Sequence, residues 1–520
     1  MPKIIIDKFI GLGESDRNLP TGQFYAGQDI DLYRDPGYLV PGFLKTDITI
    51  TGQGEDIIDI IYDPIGNYAY LFTNGGKVYG ILTTNEAILD LGGGTTKAAT
   101  IANLSQGKGI TAPSGADSGA DRIYFFYNAG AGDIAKAVPN TTDWSGANLD
   151  VDWGSTTPTN FDALRSNLDR RDCLEWNSLI WFTNGNYIGK LDTVTNPETL
   201  TLQAFNLGGG WCADRLFKTD NFLGIFASKT LNTTGLTYPL SSREISECRL
   251  YLWDGTSTAA YKIVNLQGII QVHACINRNG NIFAFVDGGT AGHYWAILQT
   301  NGSEYYLEKV RQLRHDISGT QTDLLSPMSN SAVELYRNNI LLGTYNKGLV
   351  MGIGRNNPNE SFQLSCPFSA SIAANSRVTA IKQIKTDKIY VGYYDGTNYK
   401  FASFSTGYAA ASWKNGYIDF GQKVRVNYIK YYFKSTGTAG VLVTNDSVTV
   451  GADVDYGTSK TIVDNAGNST IAFATDGAIT SKKFKTKIDC HAISPTLSSW
   501  VGGVRFAKIV IDYDFLGEDN

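Results

Sequence analysis

The sequence has few of the residues that usually mark disulfide, metal or redox chemistry. Its 520 residues include only six cysteines, four histidines and three methionines. The cysteines are widely scattered and form no CxxC pair, so we interpret them as small buried hydrophobic residues of a protein made in a reducing compartment. These residues are Cys173, Cys212, Cys248, Cys275, Cys366 and Cys490.

Segments that would direct the chain to a membrane are also lacking. The opening, Met1–Asp7, holds an apolar run of three residues, which is far shorter than the apolar core of a signal peptide. No stretch approaches the roughly 18 consecutive apolar residues of a membrane helix. We therefore predict no membrane span and synthesis in a cytoplasm.

Charge is sparse and slightly acidic. There are 44 basic and 50 acidic residues, a net charge of −6, and charged residues make up 18% of the chain. A protein whose main task is to bind nucleic acid or an anionic membrane needs a basic surface. The balance argues against both classes.

What is abundant is glycine and aromatic side chains. The chain has 56 glycines and is 12% aromatic, which is typical of β-strands connected by turns. We therefore predict an all-β protein.

A repeat runs through the middle of the chain. Seven segments share a polar turn, an aromatic-rich apolar strand and, in most cases, a turn with Asn or Asp next to Gly. They recur at intervals of 43 to 60 residues, about 53 on average. The segments are Tyr68–Gly75, Ile123–Asn128, Leu179–Gly185, the imperfect Phe222–Phe226, Ile282–Gly288, Ile340–Asn346 and Ile389–Gly396.

Each repeat predicts about four strands. Asn-Gly and Asp-Gly favour tight hairpins, and a further apolar run precedes the hairpin, as at Ile57–Tyr62 and Val378–Ile384. Four strands at a period near 50 residues indicate propeller blades. We predict a seven-bladed β-propeller, interrupted by an insertion within 229–242; the alternative is a set of unrelated hairpins in two sandwiches.

The two ends differ from the repeat. Residues 1–45 are dense in Gly and Pro but rich in apolar residues, which predicts an extended N-terminal arm in preference to a disordered leader. Residues 46–412 would form the propeller. Short alternating strands over 413–520 predict a C-terminal β-sandwich.

We predict no catalytic, cofactor-binding or metal-binding residues. The histidines His273, His293, His315 and His491 lack metal-ligand spacing, although His273 and His293 flank one predicted hairpin and can meet in space. Arg170-Arg171-Asp172 is interpreted as a surface ion-pair group.

Carboxylate pairs and tryptophans leave two other functions open. The pairs Asp29/Asp31, Asp150/Asp152 and Asp453/Asp455 lack the ligand pattern of an EF-hand and favour solvated turns, but carboxylates of a glycosidase can come from distant strands. Trp153, Trp253 and Trp295 are candidate sugar-binding residues, with packing between blades as the alternative.

Three features together resemble virion proteins of tailed bacteriophages that build the tail or its nozzle from a β-propeller. They are the opening arm Phe9–Asp31 followed by Gly37–Gly42, the degenerate propeller, and the junction Ser412–Gly421. The resemblance implies a non-enzymatic nozzle, hub or ring protein of the virion tail, synthesised in the bacterial cytoplasm.

Its implied partners are other tail subunits, such as adaptor, portal-side or fibre proteins, and further copies of itself in a ring around the DNA exit path. No cofactor is implied. The alternatives are a carbohydrate-binding tail-tip protein that recognises a receptor and, less favoured, a glycan-degrading propeller enzyme.

Overall fold

A computed structural model gives the architecture of most of the chain. The described residues are 2–13, 19, 23–35, 37–92, 98–101, 106–129, 131–139, 143–144, 148–151, 153, 171–230, 245–288, 292–301, 304–315, 323–324, 327, 329–345, 347–355, 361–405, 407–434, 446–472 and 479–516. Within them the regular structure is β-strand, with short 3-10 turns such as Asn330–Ala332.

The N-terminal residues supply five short strands. They are β1 (Lys3–Ile6), β2 (Gly11–Leu12), β3 (Gln23–Phe24), β4 (Ala26–Gln28) and β5 (Leu44–Ile48).

Seven sheets of successive strands then follow one another along the chain. Blade 1 contains β6 (Ile57–Asp63), β7 (Tyr68–Thr73), β8 (Lys77–Leu82), β9 (Ala87–Ile88) and β10 (Ala98–Thr100). Blade 2 contains β11 (Gln106–Ser114), β12 (Ala120–Ala129), β13 (Ala131–Ala137) and β14 (Leu149–Asp150). Blade 3 contains β15 (Cys173–Trp176), β16 (Leu179–Asn184), β17 (Tyr187–Asp192) and β18 (Thr199–Asn206).

Blade 4 contains β19 (Trp211–Lys218), β20 (Leu223–Thr230), β21 (Ile245–Trp253) and β22 (Lys262–Leu266). Blade 5 contains β23 (Gln271–Arg278), β24 (Asn281–Asp287), β25 (His293–Asn301) and β26 (Glu304–Gln312), and the ribbon β27 (Arg314–His315) and β28 (Asp323–Leu324) follows it. Blade 6 contains β29 (Val333–Tyr336), β30 (Asn339–Gly343), β31 (Gly348–Gly354) and β32 (Gln363–Ser371), and blade 7 contains β33 (Arg377–Lys385), β34 (Lys388–Tyr394) and β35 (Tyr399–Ser405).

This arrangement confirms the predicted seven-bladed propeller. Each of the seven repeat segments forms the second strand of its blade, namely β7, β12, β16, β20, β24, β30 and β34. The imperfect fourth segment is no exception, since β20 pairs with β19 and β21. The predicted insertion over 229–242 lies, from residue 231 onward, outside the described residues.

The aromatic character of the second strands follows from their position between two blades. Rings stack across blade interfaces, with centroids 3.9 Å apart for Phe72 and Phe125 and 4.6 Å for Phe126 and Phe182. Both faces of such a strand are buried, so large flat side chains fill the space between neighbouring sheets.

The ring closes through the N-terminal segment. The first strands of adjacent blades contact each other all the way round, including β33 with β6. Blade 7 takes its fourth strand from the start of the chain, because β5 pairs antiparallel with β35, Ile48 opposite Phe401. The two ends of the propeller are thereby joined within one sheet.

The C-terminal residues form a nine-stranded sheet with two N-terminal strands. Its own strands are β36 (Ala411–Lys414), β37 (Ile418–Lys434), β38 (Ser447–Val454), β39 (Thr458–Thr461), β40 (Thr470–Ala472), β41 (Ile479–Val501) and β42 (Arg505–Phe515). Strand β1 pairs with β42, and β4 pairs with β36. The described residues include no helix with the length and apolarity needed to cross a membrane.

Candidate functional site

The cavity of interest lies on the propeller axis, among the first strands of the blades. Its volume is about 330 Å³, and its lining combines apolar groups with polar side chains, among which cationic groups outnumber acidic ones. The charged and amide side chains that line it include Asp56, Lys108, Arg171, Arg215, Asn330 and Arg377.

A repeated β-bulge helps to shape this end of the propeller. In β6, β19, β23 and β33 the first strand carries one residue more than its partner, at Ile58, Asp214, His273 and Thr379 respectively. A bulge re-aims a side chain and increases the local twist. The bulges therefore interrupt the regular alternation of side chains in the first strands of four blades, and two of the bulged residues, Ile58 and Thr379, line the cavity.

Lys108 anchors one side of the cavity. Its Nζ lies 2.8 Å from Asp59 Oδ1, and Ser331 donates to the same carboxylate oxygen at 2.8 Å. The Gly109 N–H donates to Asp59 Oδ2 at 2.8 Å, so the carboxylate on blade 1 holds the first strand of blade 2. Burial lowers the pKa of Lys108, but the charge and hydrogen bond of Asp59 outweigh it, and the pKa is raised overall.

Asp172 anchors the other side. It is 2% exposed and accepts hydrogen bonds from the Leu216 N–H at 2.8 Å and from Asn330 Nδ2 at 2.7 Å. Asn330 Oδ1 in turn accepts from the Cys275 N–H of blade 5. Burial raises the pKa of Asp172, opposed mainly by the charge of Arg215.

The turn Asn330–Ala332 therefore crosses the axis. Ser331 contacts the Asp59–Lys108 pair of blades 1 and 2, while Asn330 contacts Asp172 beside blade 3 and Cys275 of blade 5. This hydrogen-bonded turn, with Ser331 and Ala332 buried, therefore links opposite sides of the ring at this level of the axis.

The cationic lining is largely engaged by protein acceptors. Arg377 contacts Asp56 Oδ2 through Nη2 at 2.7 Å and Nε at 3.2 Å. Arg171 donates to the Thr183 carbonyl, and Arg215 donates to the His273 carbonyl. Guanidinium groups held in place by carbonyls retain their charge, so the cavity is suited to a small anion.

The group Arg170-Arg171-Asp172 was predicted to lie on the surface, and this is wrong for its last two members. Arg171 and Asp172 are 4% and 2% exposed and belong to the axial network. Arg170 lies outside the described residues. The local sequence shows the charges but not that blade 3 begins on the axis.

The histidines divide into two kinds. His273 and His293 do meet, with ring centroids 5.3 Å apart, and Asp287 joins them in a group whose ligand atoms all lie within 4.8 Å of one another. Sequence reasoning missed Asp287, although its place in the Asp-Gly turn between the histidines could have indicated it. His491 is exposed beside Asp455, and His315 lies in β27.

The carboxylate pairs are held by protein donors. Asp31 is buried and accepts hydrogen bonds from the Tyr33 N–H and the Tyr336 hydroxyl. Asp453 pairs with Lys414 at 2.7 Å. Asp455 accepts from the His491 N–H.

The other three members of these pairs are Asp29, Asp150 and Asp152. Burial raises the pKa of Asp29 to about 7. Asp150 lies in β14, opposite Lys136, and its partner Asp152 lies outside the described residues.

The three candidate sugar-binding tryptophans are packing residues. Trp153, Trp253 and Trp295 are 4%, 1% and 0% exposed. Trp253 packs edge-on against Trp181 of blade 3, with centroids 5.2 Å apart. The six cysteines all lie within the described residues, and five of them are buried.

Comparison with known proteins gives likeness of fold alone. No family model matches the chain, and no curated protein matches it. Raptor from Chaetomium thermophilum matches with a TM-score of 0.43 and 10% identity over 71% of this chain and 30% of that one. YCF48 from Cyanidioschyzon merolae matches with a TM-score of 0.41 and 8% identity over 69% of this chain and 98% of that one. The computationally designed Ika8 protein gives 0.38 and 10% over 69% and 99%.

Proposed function

We propose that the protein is a non-enzymatic structural component of a bacteriophage virion tail, a nozzle, hub or ring protein that acts through subunit contacts around the DNA exit path. The observation that carries the proposal is the path of residues 3–48, which supply strands to the C-terminal sheet, to blade 6 and to blade 7. The proposal also rests on the resemblance of the arm, propeller and junction to tail proteins of tailed phages.

The N-terminal arm ties the propeller to the C-terminal sheet. Leu39 and Phe506 exchange backbone hydrogen bonds, each 3.0 Å long. Arg311 of blade 5 donates to the carbonyls of Leu12 and Gly13. We infer that the C-terminal sheet folds into a sandwich, and a molecule braced in this way is suited to bear load between neighbours.

The turn Asn330–Ala332 on the axis favours a ring of several copies over a single propeller as the DNA conduit. The Asn330–Ala332 turn and its hydrogen bonds occupy the centre of the propeller. DNA would therefore pass between copies and not along the axis of one propeller. The hydrogen-bonded residues around the cavity then fix the positions of the blades relative to one another.

The alternative is a glycan-recognising tail tip. Its three candidate tryptophans are all buried and therefore do not form an exposed sugar-binding surface. A sugar-binding surface would need other aromatic side chains. The glycan-degrading alternative has no assigned pair of carboxylates. A glycan array tests the first alternative, and a capsule-depolymerisation assay tests the second.

The function is tested with phage in which this gene carries a nonsense codon. In a non-suppressing host we expect DNA-containing heads with incomplete tails and a loss of infectivity of at least 100-fold, restored by the intact gene in trans. Normal tails and normal infectivity without the protein would overturn the proposal.

A further inference from the structure

Blade 5 carries a compact group of two imidazoles and a carboxylate. His273 belongs to β23, Asp287 ends β24 and His293 begins β25. Their ligand atoms all lie within 4.8 Å of one another.

The backbone explains why the three side chains converge. Asp287 is directly opposite His293 across β24 and β25. His273 is the extra residue of the β23 bulge, between the pairs Val272–Val286 and Ala274–Phe285. Its two neighbours are buried in different apolar clusters, so the bulge turns His273 toward Asp287 instead of into either cluster.

The main chain at the group is fixed by hydrogen bonds from adjoining segments. Arg215 Nε donates to the His273 carbonyl, and the Leu313 N–H donates to the His293 carbonyl at 2.9 Å. The Ile270 N–H donates to the Asp287 carbonyl at 2.9 Å. The three residues are therefore held on a rigid frame, as a preorganised ligand set requires.

The surroundings favour a cation between these side chains. His273 is 2% and Asp287 8% exposed, while His293 is partly exposed and leaves a path to solvent. The imidazole rings lie nearly parallel, 20° apart in orientation. Two neutral imidazoles and one carboxylate form an N, N, O set, for which bond lengths to Zn²⁺ are about 2.0–2.2 Å.

We propose that His273, Asp287 and His293 form a binding site for a divalent transition metal, with Zn²⁺ as the expected ion. Small side-chain rotations bring the three ligand atoms to the spacing of a tetrahedral site, with the fourth position open toward solvent. The ion would cross-link three strands of blade 5. The site adjoins the axial cavity, since Arg215 lines the cavity and also donates to the His273 carbonyl.

The test uses the purified full chain, stripped with a chelator and dialysed, then titrated with Zn²⁺ and analysed for metal content. We expect about one Zn²⁺ per chain, and the d–d absorption of four- or five-coordinate Co²⁺ when cobalt replaces zinc. His273→Gln, Asp287→Asn and His293→Gln should each weaken binding at least tenfold. His491→Gln is the matched control, because that histidine is exposed beside Asp455 in the C-terminal sheet, and it should bind as the parent does.

Two results would overturn the site: no stoichiometric uptake by the parent chain, or equal uptake by the parent and all three variants. Circular dichroism of each apo variant checks folding. Asp287→Asn is nearly isosteric and His293 is partly exposed, so these two variants keep the test decisive if His273→Gln does not fold. The metal test and the nonsense-codon test are separate, so failure of one leaves the other standing.

Discussion

At the scale of single residues, charged side chains held by partners around the axis connect the blades. Lys108 and Asp59 form one such pair, and Asp172 is held by Leu216 and Asn330. Of these residues only Asp172 was singled out from the sequence, as part of a surface ion-pair group, because burial on the axis depends on how all seven blades come together.

Replacing one member of the axial pair should be destabilising. Asp59→Asn leaves the partly buried Lys108 ammonium opposite a neutral amide, and we expect a loss of about 1–3 kcal/mol in the free energy of unfolding. Urea unfolding followed by fluorescence measures it. Adding Lys108→Met should recover much of the loss, since a neutral pair avoids the unpaired charge.

The control for that variant is Asp489→Asn, which disrupts the exposed pair with Arg425. We expect no measurable change in the urea midpoint for it, because exposed ion pairs contribute little. Equal losses in Asp59→Asn and Asp489→Asn would contradict the buried network.

Burial of acids in the arm predicts a pH dependence of stability. Burial raises the pKa of Asp29 to about 7, against hydrogen bonds from Ser369 and Gln28. The unfolded carboxyl ionises near pH 4, so between about pH 4 and pH 7 the folded state binds more protons than the unfolded state. Stability contributed by protonated Asp29 is therefore lost as the pH rises through this window.

Asp29→Asn should flatten the fall in unfolding free energy between pH 4 and pH 7. Burial also raises the pKa of Asp31 and Asp172, so part of the slope will remain. Asp395→Asn is the control, because hydrogen bonds and Lys400 lower that pKa to about 2 and place its titration below the window. An unchanged slope in Asp29→Asn would show that Asp29 is ionised in the folded protein.

At the scale of elements, the sequence predicted the parts with local signals. The second strands were recognisable because aromatic-rich apolar runs followed by Asn-Gly or Asp-Gly turns recur at a steady interval. The four bulges in the first strands have no such signal, since Ile58, Asp214, His273 and Thr379 share no residue type.

Pairing of the N-terminal strands was beyond sequence reasoning for a different reason. Strand β5 pairs with β35, more than three hundred residues away, and β2 and β3 pair at the edge of blade 6. Which distant edge a short strand joins depends on the assembled fold. Gly and Pro density indicated an extended segment but not its partners.

Closure of the ring by β5 predicts a large effect of one small substitution. Ile48 is 9% exposed and packs between blades 7 and 1 with Ile57, Ala380 and Phe401. Ile48→Ala should lower the free energy of unfolding by about 2–5 kcal/mol. Hydrogen exchange should show β33–β35 and β6–β8 losing protection together.

Ile65→Ala is the matched control, because Ile65 is 72% exposed in the turn between β6 and β7. We expect a change of no more than about 0.5 kcal/mol for it. If Ile48→Ala left blades 7 and 1 as protected as in the parent, the ring would not depend on β5 for closure.

At the scale of the whole molecule, one outer face contrasts with the net charge of −6. On the C-terminal sheet Lys483 lies over the Tyr428 ring at 3.6 Å, and Lys430 lies over Tyr432 at 4.6 Å. Lys485 is opposite Tyr428 in the neighbouring strand. Lysines on a DNA path would bind phosphates and hold them, so within the proposed function this face should meet an acidic neighbouring subunit.

Reversing the charge of this face should impair assembly. Lys483→Glu combined with Lys485→Glu should reduce the amount of the protein in purified particles at least tenfold, as measured by immunoblot. Lys460→Glu, an exposed lysine of β39 on the same sheet, should incorporate normally. Normal incorporation of the double variant would mean that the face makes no essential subunit contact.

The central proposal is that the protein is a structural component of a phage tail, and its copy number in purified particles tests this most directly. Quantitative mass spectrometry with the major capsid protein as internal standard gives that number. The account predicts a ring stoichiometry near six or twelve copies per particle. Absence of the protein from intact particles would contradict it, and one to three copies would favour a tail-tip role over a ring.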